Sequence, residues 1–186
     1  VKKNERLKDV RKKEALEGLN LLGKVDFLNL PDGKLSFIAN VEMIIYNYIN
    51  KLNPDLIITH SPDDYHPDHR ALSSYVLQSA GFKCPVIYSD TLMGVNFVPD
   101  IYVDISDFFE DKKKAIGCHK SQRPEKFVSA VCIWNRFRSA QCNGPDGSYA
   151  EAFRVDKKFP FSDIRSMLPP GPIFRPFYSK DSYGLI

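Results

Sequence analysis

Three short runs rich in β-branched residues alternate with stretches of helical periodicity, and this alternation constrains the fold more than any other feature. The runs are Asp55 to Ser61, Cys84 to Thr91 and Asp100 to Ser106. The helical stretches cover residues 3–22, 40–53, 67–80 and 108–120. Strands that alternate with helices of this length favour a parallel sheet with helices on both faces. The sequence therefore predicts a three-layer α/β fold with a mostly parallel sheet.

The length of 186 residues suits one domain, so residues 1–186 are predicted to form a single domain. Glycine and proline become frequent from about residue 141, which predicts an irregular C-terminal extension over residues 141–186. From Val1 the chain enters almost at once into the first helical pattern, without a capping signal or a preceding strand. We therefore expect the first strand of the sheet to be missing from this chain.

Charge and composition exclude several classes of function. The formal net charge is only +3, which gives no electrostatic reason to expect a nucleic acid partner. No apolar run approaches the ~20 residues of a membrane span, and no signal peptide opens the chain, so we expect a cytoplasmic protein without a membrane partner. The four cysteines have no metal-site spacing and are expected to be reduced. No glycine-rich phosphate loop follows a predicted strand, which disfavours a nucleotide-binding domain.

The stretch THSPDDYHPDHRAL, from Thr59 to Leu72, contains three of the four histidines and follows a predicted strand. Ligands of parallel sheets bind at the carboxyl ends of strands. His66 is predicted to cap a helix that starts at Pro67, and a spacing of three brings His66 and His69 together on one helix face. Asp68 lies between them and is expected to fix the tautomer of one ring, whereas His60 is expected to be structural. A capped helix start with favourable acidic residues remains the alternative interpretation.

The first helix provides a separate indication of function. Its predicted apolar face contains two charged residues, Arg11 and Glu14, which are costly there unless they are paired or functional. One interpretation is an ion pair between Arg11 and Glu14 at a spacing of three. The other adds a contact between Arg11 and an anionic or polar substrate. We expect Arg11 to form the ion pair with Glu14 and also to contact the substrate.

Five motifs occur in an order that resembles the LmbE-like, or PIG-L, family of N-acetylglucosaminyl deacetylases, and ordered motifs are more specific than any single one. The resemblance covers residues ~10 to ~155. The motifs are RKKEALEGLNLLG (Arg11 to Gly23), FLNLPDGKL (Phe27 to Leu35), DDYHPDHRA (Asp63 to Ala71), CHKSQ (Cys118 to Gln122) and YAEAFR (Tyr149 to Arg154).

The resemblance implies a Rossmann-like fold and removal of an acetyl group from an N-acetylated amino sugar, or a related small molecule, with Zn²⁺ or another divalent metal. It implies that His69 is a metal ligand. His66 is implied to stabilise the oxyanion or protonate the leaving amine, with Asp68 orienting it. The remaining implied residues are Arg11 and Asp32 at the substrate, and Asp64, His119 and Glu151 as groups that support the site without touching the metal.

The family's first motif, AHPDDE, is absent from this chain. The resemblance implies that this motif supplies two further metal ligands and the general base. We therefore expect a zinc-dependent N-deacetylase only if upstream residues, a separate N-terminal fragment or a second chain supply them. The alternative is a noncatalytic sugar-binding or scaffold pseudoenzyme that lost its metal site. Family members are often oligomers, so the resemblance leaves a homo-oligomer open.

Overall fold

The structure is a computed structural model that describes residues 2–20 and 22–173, with only the backbone described for residues 2–5. Helices and strands alternate through most of the described chain. Their bounds are α1 (Lys2–Leu19), α2 (Val41–Leu52), β1 (Ile57–Thr59), α3 (Pro67–Ala80), β2 (Val86–Ser89), β3 (Ile101–Asp104), α4 (Phe109–Gly117), α5 (Pro124–Gln141) and β4 (Ala150–Val155). The predicted α/β class is confirmed.

The four strands form one sheet in the order β1-β2-β4-β3. β1 and β2 are parallel, with Thr59 opposite Tyr88, whereas β2 and β4 are antiparallel, with Tyr88 opposite Arg154. The sheet is therefore mixed, because β4 runs opposite to β2. Periodicity in the sequence locates strands, but it does not encode which strands pair or in which direction.

The segment predicted as an irregular extension from about residue 141 contains β4, an inner strand of the sheet. Prolines and glycines surround this strand and obscure its short pattern. Residues 174–186 of the predicted extension, and Leu21 of the first helical pattern, lie outside the described residues.

The chain divides into two compact units. Among the described residues, the first contains 2–20, 22–28, 105–150 and 173, and the second contains 29–104 and 151–172. Whether the 186 residues behave as a single domain stays a prediction.

The second unit has a core between α2, α3 and the sheet. Val41, Ile45 and Ile49 repeat every four residues on α2 and are all buried, as expected for the inner face of an amphipathic helix. Val76 and Ala80 of α3 and Val86 of β2 belong to the same cluster. This core fixes α3 beside β1, and the loop between these two elements carries the histidines.

The first unit joins two of the quoted motifs through a buried carboxylate. The Glu14 side chain on α1 accepts hydrogen bonds from the amide and the hydroxyl of Ser121, both at 2.7 Å. These bonds, led by that of the hydroxyl, hold the pKa of Glu14 below its usual value, and the charges of His119 and Arg11 act in the same direction. The main partner of Glu14 is therefore Ser121, which lies 107 residues away, and Arg11 contributes least among these groups.

The apolar residues of the first helix, among them Leu7 and Val10, are predicted to form its inner face around Arg11 and Glu14, and the structure differs. Glu14 and Gly18 are buried, but Arg11 is exposed, and the side chains of Leu7 and Val10 are each more than 40% exposed. A Cβ atom on Gly18 would lie 2.7 Å from the carbonyl oxygen of Ala115, so glycine permits close packing of α1 on α4. Within this unit, the packed face of α1 is therefore centred on Glu14 and Gly18 rather than on Leu7 and Val10.

The four cysteines form no disulfide in the described part of the chain. A search of the described helices found none that combines the length and the apolar character required to cross a membrane.

Candidate metal and amide-hydrolysis site

The loop between β1 and α3 places its polar residues through local bonds. The amide of Asp64 donates to the carbonyl of Ser61 at 3.1 Å, which closes a turn directly after β1. His66 has extended backbone angles and is the N-cap of α3, and Pro67 occupies the first helical position. The predicted start of this helix is therefore confirmed.

Three imidazole rings converge at this helix start. The rings of His66 and His69 lie 4.6 Å apart, as their spacing predicted. The ring of His60 stacks on that of His69, with centroids 3.8 Å apart and an angle of 2° between the planes. The expectation that His60 is only structural did not anticipate this contact, because His60 precedes the helix and follows no helical spacing. The backbone of the loop between β1 and α3 brings the ring of His60 beside that of His69.

Asp64 is buried beneath this group of rings, with 5% of its surface exposed. Its Oδ1 accepts a hydrogen bond from the amide of His66 at 2.8 Å and lies 3.0 Å from Nδ1 of His69. Burying a carboxylate is costly unless it is paired or binds a cation. Asp64 was predicted as a supporting group, and the structure brings it into direct contact with the predicted ligand.

His60, Asp64 and His69 together offer a donor set for a metal ion. One ligand atom from each lies within 4.8 Å of the others. Two imidazole nitrogens and a carboxylate oxygen are ligands that zinc uses in catalytic sites, which keep a further position open. Burial lowers the pKa of His60, and the neighbouring His69 adds to this effect. His60 is therefore kept in the neutral form that a metal requires. The residues present fit a divalent metal.

The structure corrects the expected role of Asp68. Among the described contacts, its carboxylate accepts hydrogen bonds from the amides of Gly33 at 2.6 Å and Leu35 at 3.0 Å. The group that bonds to the ring of His66 is instead the Asp68 backbone amide, which donates to Nδ1 at 3.2 Å. This is the normal N-cap geometry, and it directs the Asp68 side chain toward the loop at residues 31–35.

The cap bond also decides the tautomer of His66. Because Nδ1 accepts a hydrogen bond, a neutral ring carries its proton on Nε2. His66 therefore presents an N–H donor away from the helix. The expected function of Asp68, to fix this tautomer, is performed by its backbone rather than by its carboxylate.

Replacing Asp68 with asparagine is expected to loosen the loop at residues 31–35. Asparagine has a single side-chain acceptor oxygen, so one of the two amides would face an NH₂ group. We expect faster amide hydrogen exchange at Gly33 and Leu35, and a loss of about 1–2 kcal/mol in the free energy of unfolding. The exposed Asp55→Asn is the matched control. Unchanged exchange at both amides would contradict the loop-holding role of Asp68.

The remaining predicted site residues lie in both units. Asp32 is exposed at the turn held by Asp68, and Glu151 is half-buried on β4, so both belong to the unit that contains the histidines. Arg11 and His119 belong to the other unit. There, Nδ1 of His119 lies 3.5 Å from Nε2 of Gln122. The roles of these four residues stay predictions.

Two residues that sequence reasoning did not select also contact the loop before α3. Arg70 donates to the carbonyls of Asp64 at 2.6 Å and Tyr65 at 3.0 Å. Arg154 of β4 donates to the side chains of Ser61 and Asp63. Both arginines belong to the motifs quoted above, Arg70 to DDYHPDHRA and Arg154 to YAEAFR. Membership in these motifs is the sequence feature that could have identified them.

Comparisons with known proteins agree with the motifs. The family model for PIG-L, GlcNAc-PI de-N-acetylase, matches residues 1–80. A probable N-acetyl-alpha-D-glucosaminyl L-malate deacetylase 2 from Bacillus cereus is 31% identical over 132 residues, which are 63% of this chain and 60% of that protein. This chain therefore spans about three fifths of the length of that relative.

Two solved structures share the fold. N,N'-diacetylchitobiose deacetylase from Pyrococcus horikoshii has a TM-score of 0.64 and 25% identity, over 79% of this chain and 63% of that one. The 4-carboxy-2-hydroxymuconate hydratase from Pseudomonas putida has a TM-score of 0.71 and 19% identity, over 86% of this chain and 76% of that one. At this identity the hydratase shows the fold alone, and fold does not determine chemistry.

Proposed function

We propose that this chain is a member of the LmbE-like PIG-L family and contributes the active site of a zinc-dependent hydrolase that removes the acetyl group from an N-acetylated amino sugar. The observation that carries the proposal is the convergence of His60, Asp64 and His69 beside the N–H donor of His66. The fold is shared with a hydratase, so the chemistry is argued from these side chains and from the deacetylase relatives.

His60, Asp64 and His69 are the residues that would hold the metal. When bound, a divalent metal polarises the amide carbonyl and makes water a stronger nucleophile near neutral pH. Asp64 orients the ring of His69 through its Oδ1, and Asp64 is itself fixed by the amide of His66 and by Arg70. The metal site is thus supported by bonds that do not depend on the metal.

His66 is proposed to act on the substrate. Its Nε2–H can donate to the oxygen that gains negative charge when the acetyl carbonyl is attacked, and donors of this kind are worth about 2.7–4 kcal/mol. The ring is held by the α3 cap, so it needs little reorganisation during the reaction. Asp32, in the loop that Asp68 holds, is proposed to bind sugar hydroxyls.

The general base and any further metal ligands are proposed to come from upstream residues or from a second chain. The proposal rests on the absence of the AHPDDE string from these 186 residues and on the greater length of the Bacillus cereus relative. The whole protein is proposed to act in the cytoplasm on a small N-acetylated substrate.

Acetate release from N-acetylated sugars, measured together with metal content, tests the proposal. We expect about one zinc per chain, loss of activity on chelation and recovery when zinc is restored. N-acetylglucosaminyl L-malate and N,N'-diacetylchitobiose are suitable substrates, with N-acetylglucosamine as the minimal one. Full activity in metal-free protein would contradict the metal site. Sugar binding without zinc or acetate release would favour the noncatalytic alternative.

A further inference from the structure

Arg154 lies where β4 passes beside β2, and aromatic rings cover its guanidinium group. The guanidinium carbon is 5.3 Å from the centre of the Tyr88 ring and 5.5 Å from that of Phe97. Both aromatic residues are buried, with 5% and 6% of their surfaces exposed. Burial and the nearby Asp156 raise the pKa of Tyr88, so its ring is a neutral phenol beside the cation. These contacts fix the position of the guanidinium group.

One nitrogen of this group bonds to the turn that follows β1. Nη2 of Arg154 donates to Oδ2 of Asp63 at 2.9 Å and to Oγ of Ser61 at 3.2 Å. Ser61 is fully buried, and its Oγ also accepts from the amide of Asp63 at 3.2 Å. Arg154 therefore joins an inner strand of the sheet to the turn at residues 61–64.

This turn ends at Asp64, the carboxylate beside His69. Arg70 bonds to the carbonyl of Asp64 from α3, whereas Arg154 holds the start of the same turn from β4. The two arginines restrain the loop from opposite ends. The backbone at Asp64 is therefore restrained by bonds at both ends of the loop.

We infer that Arg154 is a positioning residue that keeps Asp64 in contact with His69 by holding the turn at residues 61–64. The metal-related part of this inference rests on the proposed function, but the structural part does not. Arginine suits this place better than lysine, because a planar guanidinium can stack on aromatic rings while it donates to two acceptors. A lysine ammonium would keep the charge and lose the planar stacking.

Arg154→Met in the intact protein tests the inference, because methionine keeps apolar contact with Tyr88 and Phe97 but donates no hydrogen bond. We expect faster amide hydrogen exchange at Asp64 and His66, and a zinc affinity that is lower by up to the roughly 10–100-fold lost when a direct partner of a metal ligand is removed. kcat should fall more than KM rises. The matched control is Arg165→Met, since Arg165 pairs with Asp163 at an exposed position in the same unit.

A double-mutant cycle with Asp63→Ala strengthens the test, because Asp63 is bonded to Arg154 but is not a proposed ligand. We expect the second substitution to add little once the first is present. Should Arg154→Met fail to fold, Asp63→Asn and Arg154→Lys are expected to give the same changes to a smaller degree.

Unchanged exchange at Asp64 and His66 in these variants would overturn the inference. A rise in KM alone, with unchanged exchange and zinc affinity, would also overturn it and indicate direct substrate contact. If the wild-type protein binds no zinc, the proposed function fails separately, and the exchange measurement alone decides the role of Arg154.

Discussion

Replacing His69 with alanine is expected to lower zinc affinity by more than about 100-fold and to remove acetate release. Changing a partner that merely orients a metal ligand already costs about 10–100-fold in affinity, so loss of the ligand should cost more. His69 contacts the two other members of the donor set, since its ring stacks on His60 and its Nδ1 lies 3.0 Å from Asp64.

Zinc titration against a chelating dye, with acetate release measured in parallel, checks this result. Gln78→Ala is the matched control, because Gln78 is exposed on the same helix and bonds only to nearby Ser74 among the described contacts. Wild-type zinc affinity in His69→Ala would contradict the proposed site.

His60→Ala, compared with His69→Ala, asks whether His60 is a ligand or a packing partner. If His60 holds the metal directly, its loss should equal that of His69. If it only supports the ring of His69 by stacking, the loss should stay within the 10–100-fold range of supporting groups. The spacing of the sequence favours a supporting role, whereas the distances in the structure favour a ligand.

Replacing His66 with asparagine is expected to lower kcat by about 10²–10³-fold, which corresponds to the loss of one oxyanion donor. KM and zinc affinity should change little, because His66 is not a member of the proposed donor set. Asparagine is chosen because it is among the best N-cap residues and can keep the bond to the amide of Asp68. The substitution therefore removes the Nε2 donor and keeps the helix start.

Steady-state kinetics and chemical unfolding of His66→Asn and His66→Ala separate the two functions of this residue. Both variants should lose kcat equally, but only the alanine variant should lose the stability of the cap, which is typically ~1 kcal/mol. Near-wild-type kcat in His66→Asn would show that this histidine serves only as a cap.

Most local features of the fold could be predicted from the sequence. The bounds of α3 agree with the prediction, and α2, β1, β2, β3 and α4 lie inside their predicted ranges. α5 and β4 were not predicted. The apolar residues of α5 do not form a single inner face, since Phe127, Ile133 and Phe137 are exposed, and β4 lies among glycines and prolines. α5 and β4 could not be predicted because the periodicity of their apolar residues is weak.

Features that depend on a few consecutive residues could be read directly from the sequence. The α3 cap at His66 and the approach of His66 to His69 follow from the geometry of a single helical turn. The partners of Asp68, Arg154 and Glu14 depend instead on how the chain folds. Their bonds to Gly33, Asp63 and Ser121 join residues that are 35, 91 and 107 positions apart. These contacts depend on strand order and helix packing, and the local pattern of a sequence does not encode either one.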